Sequence, residues 1–261
     1  VADPLALLLL TVLWPLFPAS MVFNALVDGL RLPLLRALLS SVWPLGGVLL
    51  LPQAGAPEIL ARLPVPVPES LFPALALSTA LFYAWRSLTV NDLTRWAAMM
   101  CTSTLALLWL PWSAGASHAD LAAAAFAFGC ATALLHVVAR ALARRYGSDY
   151  LGHGRVGEAA PRLAASLALG VLAILCAPPL PGFFGMLFVC ARVPWWAAAG
   201  AGVVWWLWSW SGARLWQRAS FGASEAAAQG PDLDGATCLL AGVLALLLAI
   251  AAFVWSTTWM S

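Results

Sequence analysis

The stretch Leu175-Cys176-Ala177-Pro178-Pro179-Leu180-Pro181-Gly182-Phe183-Phe184-Gly185-Met186 interrupts an apolar run that extends from about 163 to 191. A bilayer core about 30 Å thick is crossed by roughly 20 helical residues, so the run is too long for one plain span. Three prolines also remove three backbone donors, and carbonyls freed in hydrocarbon find no water to bond. The segment therefore predicts one discontinuous helix broken at 177–182, either buried against protein or lining a wet cavity.

The rest of the chain agrees that its solvent is largely lipid. Of 261 residues, 63% are hydrophobic and 9% charged, with a mean hydropathy of +0.90. A soluble domain carries about a quarter charged residues. The thirteen basic side chains are all arginine, which removes any lysine able to release a proton on burial. Cys101, Cys130, Cys176, Cys190 and Cys238 stand singly in apolar runs without a CxxC pair or a histidine at ligand spacing, which suits packing thiols rather than a metal site or disulfides. A net charge of +2 with no basic face outside the membrane flanks argues against nucleic acid. The first residues lack the charged region and cleavage site of a signal peptide.

Apolar runs near 4–23, 32–52, 70–86, 96–113, 121–139, 163–191, 193–213 and 236–258 predict an all-α, polytopic bundle of about eight spans, one transmembrane domain over 1–261. With that count, Arg86, Arg95, Arg140, Arg144, Arg145, Arg155, Arg162, Arg214 and Arg218 share one side, against Arg62 and Arg192 on the other. The positive-inside rule turns the arginine-rich loops toward matrix or cytoplasm. The proline-rich 64–68 is expected to be extended. No phosphate-cradling glycine loop, zinc helix or Ser-His-Asp set is present in the sequence.

Ionisable groups inside spans are expensive and mark function first. Asp28 and Arg31, three apart, can meet on one helix face beside Arg36; they read either as a buried pair on a proton path or as a pair snorkelling at the interface. His136, four residues before Arg140, suits a proton relay or a bond to a neighbouring helix. His118 and His153 fall in connections. Trp195, Trp196, Trp205, Trp206, Trp208, Trp210 and Trp216 crowd the seventh span; packing and interfacial anchoring account for them better than a quinone pocket.

Two motifs carry a resemblance. Asn91-Asp92-Leu93-Thr94-Arg95-Trp96-Ala97-Ala98 resembles the N-x-K-R-L-L-x-Y-S-S-I signature of the antiporter-like membrane subunits of respiratory complex I. The 175–186 segment is similar to that family's S-L-A-G-x-P-P-x-x-G-F-x-x-K break, and its Pro-Pro spacing and Gly-Phe-Phe-Gly run most resemble subunit 2. Tyr150-Leu151-Gly152 with Pro161, and Ser211-Gly212-Ala213-Arg214, fall in family order, so residues from about 22 to 258 resemble the C-terminal half of such a subunit.

The resemblance implies a discontinuous helix marked by Pro178, Pro179, Pro181, Gly182 and Met186, the last standing where the family has a proton-transferring lysine. Arg31 matches a second family lysine, while Met99, Met100 and Cys101 replace a tyrosine and two serines. Asp28, Arg31, His136 and Arg95 remain as proton-path candidates. The implied function is a truncated membrane-arm subunit of proton-translocating NADH:ubiquinone oxidoreductase, mainly structural, with a degenerate path and no redox chemistry of its own. FMN and iron-sulfur clusters would sit on other subunits. Partners would be other membrane subunits, including antiporter-like subunit 4, and lipid. The expected place is the mitochondrial inner membrane, with the bacterial plasma membrane as alternative. A cation/proton antiporter or hydrogenase-linked antiporter subunit is the rival function.

Overall fold

The structure is a computed structural model that describes residues 11–30, 32–50, 70–153, 156–221 and 232–260. Among them lie eleven α-helices: α1 (Ala19–Gly29), α2 (Pro33–Leu50), α3 (Leu71–Ser87), α4 (Leu93–Leu107), α5 (Trp109–Ser113), α6 (His118–Tyr146), α7 (Val156–Ala159), α8 (Pro161–Ile174), α9 (Pro181–Arg192), α10 (Trp195–Phe221) and α11 (Gly235–Met260). Arg31, Arg62 and the 64–68 segment lie outside the described residues. By length and composition, His118–Tyr146 and Gly235–Trp255 could each cross a bilayer unaided. The tryptophans and arginines of α10 offset its 27-residue length.

α6 is the centre of the bundle, with α2, α4, α8, α9 and α11 packed around it. Its local sequence explains its length. The Ser117 hydroxyl caps the N-terminus by accepting from the Asp120 amide at 3.2 Å, Asp120 places negative charge in the first turn, and Arg144 and Arg145 place positive charge in the last. Gly147 then stops the helix at φ +78°, a left-handed conformation that glycine adopts without penalty. Between these ends, alanines and leucines bury nearly the whole circumference.

The tightest neighbour is α2. Pro44, inside α2, has no N–H to bond the carbonyl of Ser40 one turn earlier. Gly129 of α6 lies against that carbonyl so closely that a Cβ would stand 2.8 Å from it. The pair therefore approaches backbone to backbone at the point where α2 carries its proline.

The interruption of the helix runs over 175–180, two residues earlier than the expected 177–182. α8 ends at Ile174 and α9 begins at Pro181. Cys176 takes a left-handed φ of +57°, and two turn bonds close the end of α8: Ala177 N to Leu172 O at 3.0 Å and Cys176 N to Ala173 O at 3.2 Å. The indole of Trp205 on α10 donates to Leu175 O at 2.8 Å. Pro178 and Pro179 form an exposed elbow, whereas Pro181 and Gly182 are buried, and a Cβ on Gly182 would meet Ala173 O at 2.8 Å. The break is thus seated against protein on its inner side.

The structure corrects the first expected span. The run 4–23 is not one continuous helix in its described part: the chain turns through Trp14–Phe17 and restarts at Ala19. Pro15 and Pro18 remove donors here as the prolines of 178–181 do there. The exposed groups are again met by side chains of other helices. The Trp109 indole donates to Trp14 O at 2.8 Å, and the Phe17 amide donates to the Thr79 hydroxyl at 3.0 Å. A smaller correction concerns 96–113, which divides into α4 and α5 at Leu108.

Candidate functional site: a polar cavity above His136

Three described candidates from the sequence, Asp28, Arg95 and His136, line one cavity of about 330 Å³. Arg36, Asp92, Arg140 and Asp149 complete its charged wall. Arg31 lies outside the described residues. Each helix delivers its part for a local reason. On α6, His136, Ala139, Arg140 and Ala143 recur at helical spacing, so one face of the central helix forms the back of the cavity. Asp28 sits one residue before the end of α1, which stops at Gly29, while α2 begins at Pro33.

The rim is pinned by a connection the sequence did not disclose. Asp92 and Tyr150 form an isolated antiparallel bridge, with Leu151 N bonded to Asn91 O at 3.0 Å and Leu93 N to Asp149 O at 3.1 Å. The Asp149 carboxylate then accepts from Thr94 N at 2.9 Å, which caps α4 from a different segment of chain. Asp92, at the N-cap position, makes no such bond; it pairs instead with Arg95 at 3.8 Å across a largely exposed rim. Asp149 is the functional candidate that sequence reasoning missed. The only hint was its place in the turn-rich 146–150 segment.

Charge in the cavity is balanced, with three aspartates facing three arginines. Arg36 Nη2 donates to the backbone oxygen of Asp28 at 3.2 Å, while its buried Nε has no hydrogen-bond partner among the described residues. His136 lies deepest. It is 1% exposed, and neither ring nitrogen has a hydrogen-bond partner among the described residues. A buried imidazole with both nitrogens open to a polar cavity is a site for water or an exchanging proton.

The broken helix does not add a titratable group to this cavity. Met186, on the first turns of α9, is fully buried in the apolar core. Of the tryptophans, Trp205 and Trp208 donate to Leu175 O and the Ser103 hydroxyl, and Trp96 donates to the Ser211 hydroxyl at 2.6 Å, so these indoles serve packing. Trp206 and Trp210 face outward as a tilted pair.

No family model and no curated protein matches this sequence. Solved structures do match. The fold superposes on a chain of respiratory complex I from Thermus thermophilus with a TM-score of 0.71 at 21% identity, over 94% of this chain and 57% of that one. For a chain of the membrane-bound sulfane sulfur reductase, an archaeal respiratory membrane complex, the values are 0.73 and 16%, over 96% and 52%. For a chain of the Mrp complex from Dietzia sp. DQ12-45-1b they are 0.76 and 14%, over 97% and 56%. This chain therefore spans about half the length of the solved chains it matches, and what it shares with them is the fold of a membrane-complex subunit.

Proposed function

We propose that the chain is an antiporter-like membrane subunit of a complex I-type assembly, most like subunit 2, whose main task is structural and whose proton path is degenerate. The observation that carries this reading is the burial of Met186 in the apolar core at the broken helix, while the charged cavity ends at His136. A path that needs a proton carrier at the position of Met186 finds a thioether there. The likeness to chains of two respiratory complexes supports the assembly.

In this reading the eight spans cross one bilayer, with the arginine-rich loops on the matrix or cytoplasmic side. The redox groups sit on other subunits, other membrane subunits including antiporter-like subunit 4 are neighbours, and the membrane is the mitochondrial inner membrane. The second reading, a cation/proton antiporter subunit, is favoured by one observation, the open imidazole of His136 facing three aspartates and three arginines.

Native mass spectrometry of the membrane assembly that contains this chain separates the two. Flavoprotein and iron-sulfur partners are expected. An assembly of membrane chains alone that exchanges cations for protons would replace the first reading by the second.

A further inference from the structure

We propose that the polar cavity above His136 receives the headgroup of a phosphatidylethanolamine, its phosphate held by Arg36, Arg140 and His136 and its primary ammonium by Asp28 and Asp149. The cavity stands where four helices end or begin. Asp28 is one residue from the end of α1, Arg36 is in the first turn of α2, Asp92 and Arg95 flank the start of α4, and Arg140 lies within the last two turns of α6. In the membrane reading this is the arginine-rich boundary, the level of lipid headgroups.

The groups left over after pairing inside the protein decide what fits. Asp92 and Arg95 pair with each other at 3.8 Å, and one oxygen of Asp149 takes the Thr94 amide. Arg36 gives one nitrogen to the Asp28 backbone oxygen, and its buried Nε has no partner among the described residues. Among the same residues the Arg140 guanidinium and the Asp28 carboxylate have neither a hydrogen bond nor an ion pair. The ring of His136, 1% exposed, opens both nitrogens to the same space. Buried polar atoms of this kind are costly to leave unmet, so the space calls for a polar ligand.

What remains is two guanidiniums and an imidazole for an anionic group, and two carboxylates for a cationic one. A purely anionic ligand would meet Asp28 and Asp149 as like charges, and a lone cation would meet Arg36 and Arg140 in the same way. No His, Cys, Asp and Glu cluster among the described residues is fit for a metal ion. A zwitterion satisfies both sets. Guanidinium forks match phosphate oxygens, which accept their hydrogen bonds. The cationic end is a primary ammonium rather than choline, because quaternary ammonium is held by aromatic cages and no aromatic ring lines this cavity. Asp28 and Asp149 offer the acceptors that ammonium N–H donors need.

Size fits a headgroup. At about 330 Å³ the cavity equals roughly ten waters' share of the liquid and lies at the small end of ligand pockets. The acyl chains stay outside it. Leu26 on α1 and Leu34 and Leu38 on α2, each exposed and within two residues of Asp28 or Arg36, give those chains an apolar surface beside the mouth.

The inference rests on the membrane reading alone, so loss of the assembly proposed above would leave it standing. The test uses the full chain in its native assembly, delipidated in detergent and titrated with phosphatidylethanolamine, phosphatidylglycerol or phosphatidylcholine of equal chain length. Native mass spectrometry counts the bound lipid. Wild type is expected to retain one phosphatidylethanolamine more than Arg140→Gln, which should bind it roughly 10-fold more weakly. Asp28→Asn is expected to erase the preference for phosphatidylethanolamine over phosphatidylglycerol, a change that lost packing alone would not produce. Equal retention of phosphatidylethanolamine by wild type and Arg140→Gln would overturn the proposal. Equal retention of the three lipids by wild type would overturn it too, whether or not the variants assemble. Soluble O-phosphoethanolamine carries the same headgroup without chains; binding of it as tight as that of the lipid would give the site to a soluble phosphoamine and end the lipid assignment.

Discussion

Trp205 and Leu175 are joined across the helix break by a 2.8 Å hydrogen bond from indole to backbone carbonyl. The bond joins α10 to the end of α8, where the Leu175 side chain also lies against Gly212. Its counterpart at the other break is the 2.8 Å bond from the Trp109 indole to Trp14 O. In both places a chain interrupted by prolines presents a carbonyl that its own helix cannot use, and a tryptophan from a different helix takes it. The fold tolerates irregular backbone at depth because donors arrive from neighbouring elements.

Replacing Trp205 by phenylalanine is thus expected to destabilise the protein by about 1–3 kcal/mol, the cost of leaving a largely buried acceptor without its donor. Trp206→Phe changes an exposed ring with no hydrogen bond among the described residues and is expected to stay within about 0.5 kcal/mol. Reversible denaturation in mixed micelles measures both. Equal effects of the two substitutions would remove the special role of the Trp205 bond.

A backbone contact sets the second expectation. At Gly129 a Cβ would stand 2.8 Å from the carbonyl of Ser40, a backbone atom that cannot swing aside. Gly129→Ala should force α2 and α6 apart and cost about 1–3 kcal/mol, as overpacking of a filled core does. Gly202→Ala on the outward face of α10, where a Cβ would meet nothing within 4 Å, should be neutral or slightly stabilising because alanine favours helix. Thermal unfolding of the two variants side by side decides the matter.

The broken helix was legible because three prolines inside an overlong apolar run leave few alternatives. The break at Trp14–Phe17 was not, since Pro15 and Pro18 fall in a run of ordinary span length and composition gives no reason to divide it. Within the site, His136 and Arg140 were legible from their helical spacing. Asp149 was not, because its part is set by a bridge to Asp92–Leu93 some 55 residues away in sequence, which no local pattern announces. Arg95 was singled out for a motif, and its place at the rim follows from the helix start that Asp149 caps.

His136 offers a test of what the cavity does. Its ring nitrogens have no protein partner among the described residues, so His136→Leu removes two polar atoms from a buried place at little loss of volume. With a mainly structural chain, stability should hold or rise by about 1 kcal/mol, and the ratio of protons moved to electrons transferred by the assembly should not change. Loss of proton movement with the assembly intact would instead make His136 a relay and favour the antiporter reading.

A clasp of two aspartates joins α6, α8 and α11 and makes stability depend on pH. Asp234 accepts from the Thr237 amide at 3.1 Å and pairs with Arg144 at 2.7 Å, while Asp232 accepts from the Arg162 and Leu163 amides at 2.9 and 3.0 Å. Hydrogen bonding to Thr237, and then the charge of Arg144, hold the Asp234 carboxyl below the ordinary aspartate value of 3.8. A carboxyl whose folded value is depressed binds fewer protons folded than unfolded. Its contribution to stability is therefore complete above the unfolded value and is lost as pH falls through the folded one. Wild type should accordingly lose more stability between pH 6 and pH 3 than Asp234→Asn, which holds no proton-linked charge at that position. The difference should be small because the pair is half exposed and screened by salt. Parallel unfolding curves for the two proteins across that range would show that the clasp holds the helix ends by geometry rather than by the charge on Asp234.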